Sequence, residues 1–411
     1  MITVVDARMG RGKTSAAIRY MNENKHDKRF LYATPYLTEV KRIMEECGFE
    51  EPEADDRSSK LAQLKALLHR KKNIATTHAM FTDFMDDEAF QLVEDGEYTL
   101  ILDESIRGIE TVSIDKDDLA HMLEKYAIVD EKHNVRWVNG RDYSGKLVSY
   151  KKMADDGGLF YTNGSLFYIS GIAKLLRFSN AYVLTYLFAG QSMRACLEYF
   201  KYSYNVVGVE TDEHGFKFSD KMDAPPPVDY RTLIHIIGDE LDDDPKEKKM
   251  NAVGDGKTAL SVSWYKRKGK SSPELKKLRG AMQNLARSYG TKSMIWTVYK
   301  GNVMWFSDSK KRYLSSFVSL NARATNNYRD ATVVEYLANR FVNTNIMKFL
   351  SQNGVHISQD DFALSEMVQF IWRSAIRDGK PITLYIPSRR MRGLLNKWID
   401  EQAAATAQLT V

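Results

Sequence analysis

Ala7-Arg8-Met9-Gly10-Arg11-Gly12-Lys13-Thr14 follows the apolar run Ile2-Thr3-Val4-Val5 and leads into Ser15–Met21. The run reads as a buried strand, the octamer as a glycine-rich turn, and Lys13-Thr14 as the opening of a helix. Strand, glycine turn and helix in that order make a P-loop, here with Ala7 where glycine is commoner. Gly10 and Gly12 allow the backbone to curl so that successive N–H groups point at one anion. The helix N-terminus adds partial positive charge. The stretch Gly10, Arg11, Gly12, Lys13, Thr14 and Ser15 is therefore the expected cradle for the phosphates of ATP. Lys13 is expected on the β- and γ-phosphates and Thr14 on Mg²⁺.

A second block completes that chemistry. Tyr98-Thr99-Leu100-Ile101-Leu102 is a nearly continuous apolar run, as in a parallel strand buried on both faces, and it ends in Asp103-Glu104. Two adjacent carboxylates at the end of a buried strand are costly unless they have partners or work. Asp103 suits the Mg²⁺ shell and Glu104 suits activation of the attacking water. The plain alternative is a solvated strand end.

Length and composition set wider bounds. A chain of 411 residues has room for two domains. Its 43% hydrophobic and 27% charged content is that of an ordinary globular protein. A net charge of +5, from 59 basic and 54 acidic residues, permits nucleic-acid binding without requiring it. The two cysteines, Cys47 and Cys196, exclude a disulfide scaffold and carry no zinc-ligand spacing. No apolar stretch is long enough for a bilayer span, so no membrane partner is expected. The P-loop strand begins at Ile2, which leaves no room for a signal peptide; the expected compartment is the cytoplasm.

The first part of the chain alternates strands (Phe30–Thr34, Asn73–Thr77) with helical runs (Tyr36–Cys47, Leu61–Leu68). That rhythm predicts an α/β fold with a doubly wound parallel sheet and a ligand at the carboxyl ends of its strands. Residues 108–180 break the rhythm and read as an insertion or accessory region, with a hairpin expected over Arg136–Leu147. The rhythm returns at Ala181–Phe188. Residues 211–229, closing on Pro225-Pro226-Pro227, read as a linker. The expected division is thus a first domain at 1–210 and a second α/β domain at 230–411. In the second, Pro273–Tyr289 is an amphipathic helix, Phe362–Ile376 another helix, and Ser293–Val298, Phe317–Leu320, Thr332–Leu337 and Ile382–Ile386 strands.

The order of these blocks resembles the superfamily-2 helicase core, in which two RecA-like domains hold ATP between them. The P-loop has the Ala-x-x-Gly-x-Gly-Lys-Thr form of that group, and Asp103-Glu104 resembles its second motif, with Ser105 departing from the usual pattern. Thr34-Pro35-Tyr36 and Thr76-Thr77-His78 resemble blocks that touch a nucleic-acid backbone. Thr185-Tyr186-Leu187 with Ala189-Gly190-Gln191 resembles the third motif but departs from it at Tyr186 and Phe188. Trp296-Thr297, Arg323-Ala324-Thr325-Asn326 and the series Gln369, Arg373, Arg377 resemble the fourth, fifth and sixth. The resemblance implies two RecA-like doubly wound domains with an insertion in the first, and an ATP-dependent nucleic-acid helicase or translocase. The compact C-terminal half resembles phage-encoded members, which implies the host cytoplasm. The nucleic-acid contacts implied are Thr34, Pro35, Thr77, His78, Thr297, Thr325 and Asn326, with DNA favoured over RNA and a monomer compatible with the core.

Read without the family, Gln369, Arg373 and Arg377 recur every four residues and so share one face of a helix. Two guanidiniums on one stripe suit a γ-phosphate approached from across a cleft. A solvated basic stripe with acidic neighbours such as Glu366 is the alternative. Trp264-Tyr265-Lys266-Arg267-Lys268 mixes rings and cations as a stacking surface would, or is simply a basic loop. A protein whose ATP-driven core changes shape without unwinding shares every one of these features.

Overall fold

The computed structural model describes residues 1–411 apart from 55–57, 107, 141, 170, 222–227, 240–243, 308–311, 321–327 and 408–411. The N-terminal apolar run forms strand β1 (Ile2–Asp6), followed by β2 (Arg29–Thr34), β3 (Ile74–Thr77) and β4 (Tyr98–Asp103). The accessory region supplies β5 (Ile109–Val112), β6 (Ala127–Val129), β7 (Val135–Trp137), β8 (Leu159–Thr162) and β9 (Ser165–Ile169). The first sheet then resumes with β10 (Asn180–Thr185), β11 (Tyr204–Asp212) and β12 (Gly215–Ser219). Its strand order is β12-β11-β1-β10-β4-β2-β3, parallel except for β12.

Alternate residues of these strands enter two different cores, the mark of helices on both faces. Val4, Leu31, Leu100 and Val183 meet Leu64, Leu67, Phe90 and Val93 of the helices Lys60–His69 and Asp87–Asp95. Val5, Tyr32, Ile101 and Leu184 meet Ala17, Met21, Val40 and Ile43 of the helices Lys13–Asn24 and Leu37–Cys47. The register brings the strand ends level: Asp6 lies opposite Thr185, and Leu184 opposite Asp103.

The second sheet has β13 (Ile234–Ile236), β14 (Met294–Thr297), β15 (Val333–Tyr336) and β16 (Ile382–Tyr385), all parallel, in the order β13-β16-β15-β14. The helices Gln359–Ile371 and Arg389–Ala407 cover one face and Pro273–Tyr289 the other. The expected fold class, two doubly wound parallel-sheet domains with an insertion in the first, is what the chain forms.

Details differ from the sequence reading. The hairpin of the accessory region turns at residues 130–134, not 136–147, because Asp130 Oδ1 accepts from the N–H groups of Lys132 and Asn134. Residues 211–219, expected in a linker, instead form the β11–β12 hairpin on the edge of the first sheet; the proline triplet lies outside the described residues. Phe317 makes one bridge to Trp296 rather than starting a strand. Trp264 and Tyr265 are core residues of the helix Val262–Lys268, 5% and 0% exposed, so they form no stacking surface. The helix Thr344–Gln352, though it follows β15 in sequence, buries Ile346, Phe349 and Leu350 in the first domain's core. Phe349 stacks on Phe167 at 5.7 Å, and Asn345 Nδ2 donates to Ser165 Oγ at 2.7 Å.

Candidate functional site

The turn after β1 has the geometry its glycines allow. Gly10 and Gly12 take φ of +79° and +73°, a region costly for any residue with a Cβ. Gly12 caps the helix Lys13–Asn24. A Cβ there would also stand 2.3 Å from the ring of Phe216, so glycine is required twice over. Lys13 Nζ donates to the carbonyls of Ala7 at 2.5 Å and Arg8 at 2.9 Å. The ammonium is thereby held over the mouth of the turn.

Asp103 and Glu104 end β4 beside it. Asp103 is 8% exposed, and its Oδ2 accepts from Tyr32 Oη at 2.9 Å and Thr34 Oγ1 at 3.4 Å. Burial, then the neighbouring Glu104 charge, pushes its carboxyl up to about 7. A divalent cation would supply the charge this buried acid lacks, and a carboxylate with the Thr14 hydroxyl is an oxygen donor set suited to a hard ion. The residues present therefore fit Mg²⁺. Glu104 adopts φ +71°, a strained backbone for a residue with a side chain, and its N–H donates to Leu184 O at 2.9 Å. Tyr36 Oη donates to Glu104 Oε1 at 3.0 Å, which fixes the carboxylate toward the cleft.

The opposite wall comes from the second domain. Gln369, Trp372, Arg373 and Arg377 line one cleft of about 330 Å³ together with Lys13, Thr14, Asp103 and Glu104. The shared helix face expected for the first three polar residues is not how they arrive. The helix ends at Ile371, where Ser374 Oγ donates to the Ile371 carbonyl at 2.6 Å, and Arg377 sits on a separate turn, Ala375–Asp378. Arg373 is 9% exposed with its guanidinium 5.4 Å from the Phe370 ring; Arg377 is exposed. Gln369 Nε2 donates to Ser365 Oγ at 3.2 Å. The Arg377 carbonyl lies 3.9 Å from where a Cβ on Gly10 would stand, so the two walls meet at the glycine turn itself.

The third-motif stretch also spans the domains. Gln191 Nε2 donates to Thr185 Oγ1 at 2.7 Å and Tyr186 O at 2.9 Å. Tyr186 Oη accepts from Trp398 Nε1 at 3.1 Å, and Gly190 packs on the Asp361 carbonyl so closely that a Cβ would stand 2.2 Å from it. Tyr186, a departure from the motif, is thus an interdomain contact.

The expected nucleic-acid residues fare differently. Thr34, His78 and Thr297 are 0%, 1% and 0% exposed and offer no surface to a strand, a correction to their expected role. Thr34 is interior because its hydroxyl serves Asp103. Pro35 and Thr77 are half-buried, and Thr77 Oγ1 accepts from the Met80 N–H at 3.3 Å. Thr325 and Asn326 lie outside the described residues. The cleft also contains Glu39, Arg42 and Phe216, which the motif reading did not name, and Tyr36 and Tyr186, which it quoted without a role at this site. For Phe216 a signal existed: Gly215-Phe216-Lys217-Phe218-Ser219 alternates as a strand does.

Comparison with known proteins places the chain in a family. Residues 233–399 match the YonV C-terminal Rossmann-like domain, and residues 109–169 the YonV middle domain. Over 419 residues the chain is 33% identical to the SPbeta prophage-derived uncharacterized protein YonV of Bacillus subtilis (strain 168), covering 98% of this chain and 99% of that protein. Among solved structures, S. tokodaii Xpd4 overlays with a TM-score of 0.44 and 12% identity, over 97% of this chain and 94% of that one. Among the described residues no helix is long and apolar enough to cross a membrane. The chain belongs to the YonV family.

Proposed function

We propose that this protein hydrolyses ATP in the cleft between its two domains and uses the cycle to move along or unwind nucleic acid, DNA before RNA. The observation that carries the reading is the convergence of Lys13, Thr14, Asp103 and Glu104 with Gln369, Arg373 and Arg377 on one cleft. In this reading the backbone from Gly10 to Ser15 cradles the phosphates, and Lys13 exchanges the Ala7 and Arg8 carbonyls for phosphate oxygens. Thr14 and Asp103 would hold Mg²⁺, whose contribution is to neutralise phosphate charge. Glu104, aimed by Tyr36, orients and deprotonates the attacking water. Arg373 and Arg377 take up the charge that spreads over the γ-phosphoryl oxygens, with Gln369 beside them. Closing and reopening the walls would be felt directly at the Tyr186–Trp398 and Gly190–Asp361 contacts.

One observation favours a second reading, an ATP-gated binding or assembly protein without unwinding. The segment from Val342 to Ile357 is stapled into the first domain's core, which limits how far the domains can separate. Turnover of ATP with and without single-stranded DNA, duplex DNA and RNA tests both. Stimulation with strand displacement supports the motor. ATP binding with turnover indifferent to every nucleic acid would leave the switch ahead.

A further inference from the structure

The first-domain wall of the cleft is not made by the P-loop alone. The β11–β12 hairpin wraps the helix that starts at Lys13 and is pinned there. Arg19 Nη1 meets Asp212 Oδ1 at 2.7 Å, and Phe218 stacks on Tyr182 at 5.3 Å and 12°. Two residues before Phe218, and so on the same face of the strand, Phe216 lies flat against Gly12. Its ring is only half-buried and its remaining surface lines the cleft. A large apolar ring seated on Gly12 at the rim of the cleft is a ready stacking surface.

We infer that Phe216 is the platform on which the base of the nucleoside triphosphate stacks. The inference rests on the nucleotide-hydrolysing reading above. A phenyl ring offers a π face and no hydrogen bond, so it grips a base without reading its edge. The substrate class is therefore nucleoside triphosphates broadly, with purines held better than pyrimidines by their larger stacking area and with adenine and guanine alike. The ring's other face, on Gly12, ties base binding to the position of the P-loop.

The test uses the full chain and separates base from phosphates. Steady-state hydrolysis of ATP, GTP and CTP is measured for the wild type, Phe216→Leu and Phe216→Trp, with inorganic tripolyphosphate as a competitive inhibitor carrying no base. Leu keeps an apolar group on Gly12 and Trp keeps a larger platform. The expected result is a rise in KM for ATP and GTP of about 10- to 100-fold in Phe216→Leu and a smaller rise for CTP, a KM in Phe216→Trp that falls below that of Phe216→Leu by most of this factor, and an unchanged Ki for tripolyphosphate in both. Thermal melting checks that each variant is folded. An unchanged KM for ATP in Phe216→Leu overturns the platform while leaving hydrolysis intact. So does a Ki for tripolyphosphate that weakens in step with KM, since the ring would then only shape the P-loop. A wild type that hydrolyses no triphosphate and is not stabilised by ATP removes the underlying reading, and the platform with it.

Discussion

Lys13 reaches the cleft from a turn closed within residues 6–15, whereas Arg373 reaches it from beyond the end of a helix, on a chain segment that must first be turned by its neighbours. The part of the first wall that carries Lys13 is local. Its strand, two glycines in positive φ and helix N-terminus follow one another without a break. The second wall is assembled at a distance. Ser374 stops the helix, and the Ala375 N–H donates to Ala331 O at 2.9 Å, fastening the turn to the approach of β15. The spacing of Gln369, Arg373 and Arg377 names residues that the fold brings to the same cleft as Lys13, while implying the wrong local geometry for them.

If the walls divide the work as proposed, removing a group from each separates binding from turnover. Lys13→Ala strips the ammonium that donates to the Ala7 and Arg8 carbonyls of the turn. Turnover should fall by about 10³-fold or more. The melting temperature should move by no more than about 2 °C, since the side chain is not part of the core. Near-normal hydrolysis in a folded variant would remove Lys13 from the phosphate site. Arg373→Ala acts from the other wall. It should lower kcat about 10²-fold while weakening ATP binding less than about 5-fold, as expected for a group used mainly in the transition state. An equal loss in binding and kcat would make Arg373 a packing residue against Phe370.

Asp103 sharpens the contrast from within the first wall. Its carboxyl, held up to about 7 against an unfolded value near 3.8, takes up a proton more readily in the folded chain. Stability therefore falls as pH rises from about 4 to about 7, and the loss persists above that range. Without Mg²⁺, Asp103→Asn should be more stable than the wild type by about 1–3 kcal/mol at pH 8, with the difference closing toward pH 4. Adding Mg²⁺ with ADP should raise the wild-type melting temperature further than ADP alone, and in the variant Mg²⁺ should add little to ADP. Denaturation at both pH values decides it; a gain that does not depend on pH would place the penalty elsewhere.

The sequence made local features legible and left tertiary ones dark. β1, β4 and the helix Pro273–Tyr289 could be read because their burial is written in continuous or periodic apolar residues. The turn at Gly10 and Gly12 was legible from its glycines, and the place of Asp103-Glu104 from the end of the apolar run before them. Thr34 and Thr297 were misjudged because a polar residue at a strand end looks like a surface donor until the sheet around it is known. Trp264 and Tyr265 were ambiguous because aromatics beside lysines read the same in a core helix and on a binding face. The helix Thr344–Gln352 could not be assigned to the first domain at all. Nothing local says that Phe349 will stack on a residue, Phe167, from a distant part of the chain.

Tyr36 is where the smallest effect carries a sharp distinction. It follows Pro35 at the end of β2, and its hydroxyl donates to Glu104 Oε1 at 3.0 Å. Motif resemblance assigned its neighbours Thr34 and Pro35 to nucleic acid, yet the tyrosine itself faces the proposed site of hydrolysis. Tyr36→Phe keeps the ring and removes one hydrogen bond to a charged group, worth about 1.5–3 kcal/mol at most and less where the carboxylate stays solvated. Because Glu104 can still reach the cleft without its guide, the expected loss is about 5- to 10-fold in kcat with KM for ATP unchanged. The pattern matters more than the size. If the hydroxyl positions the base, Tyr36→Phe should add nothing to the loss already caused by Glu104→Gln, since the two act through one carboxylate. If the losses instead multiply, Tyr36 acts on something other than Glu104. A drop in nucleic-acid affinity with unstimulated turnover intact would return the Thr34-Pro35-Tyr36 block to the strand-binding role that its burial argues against.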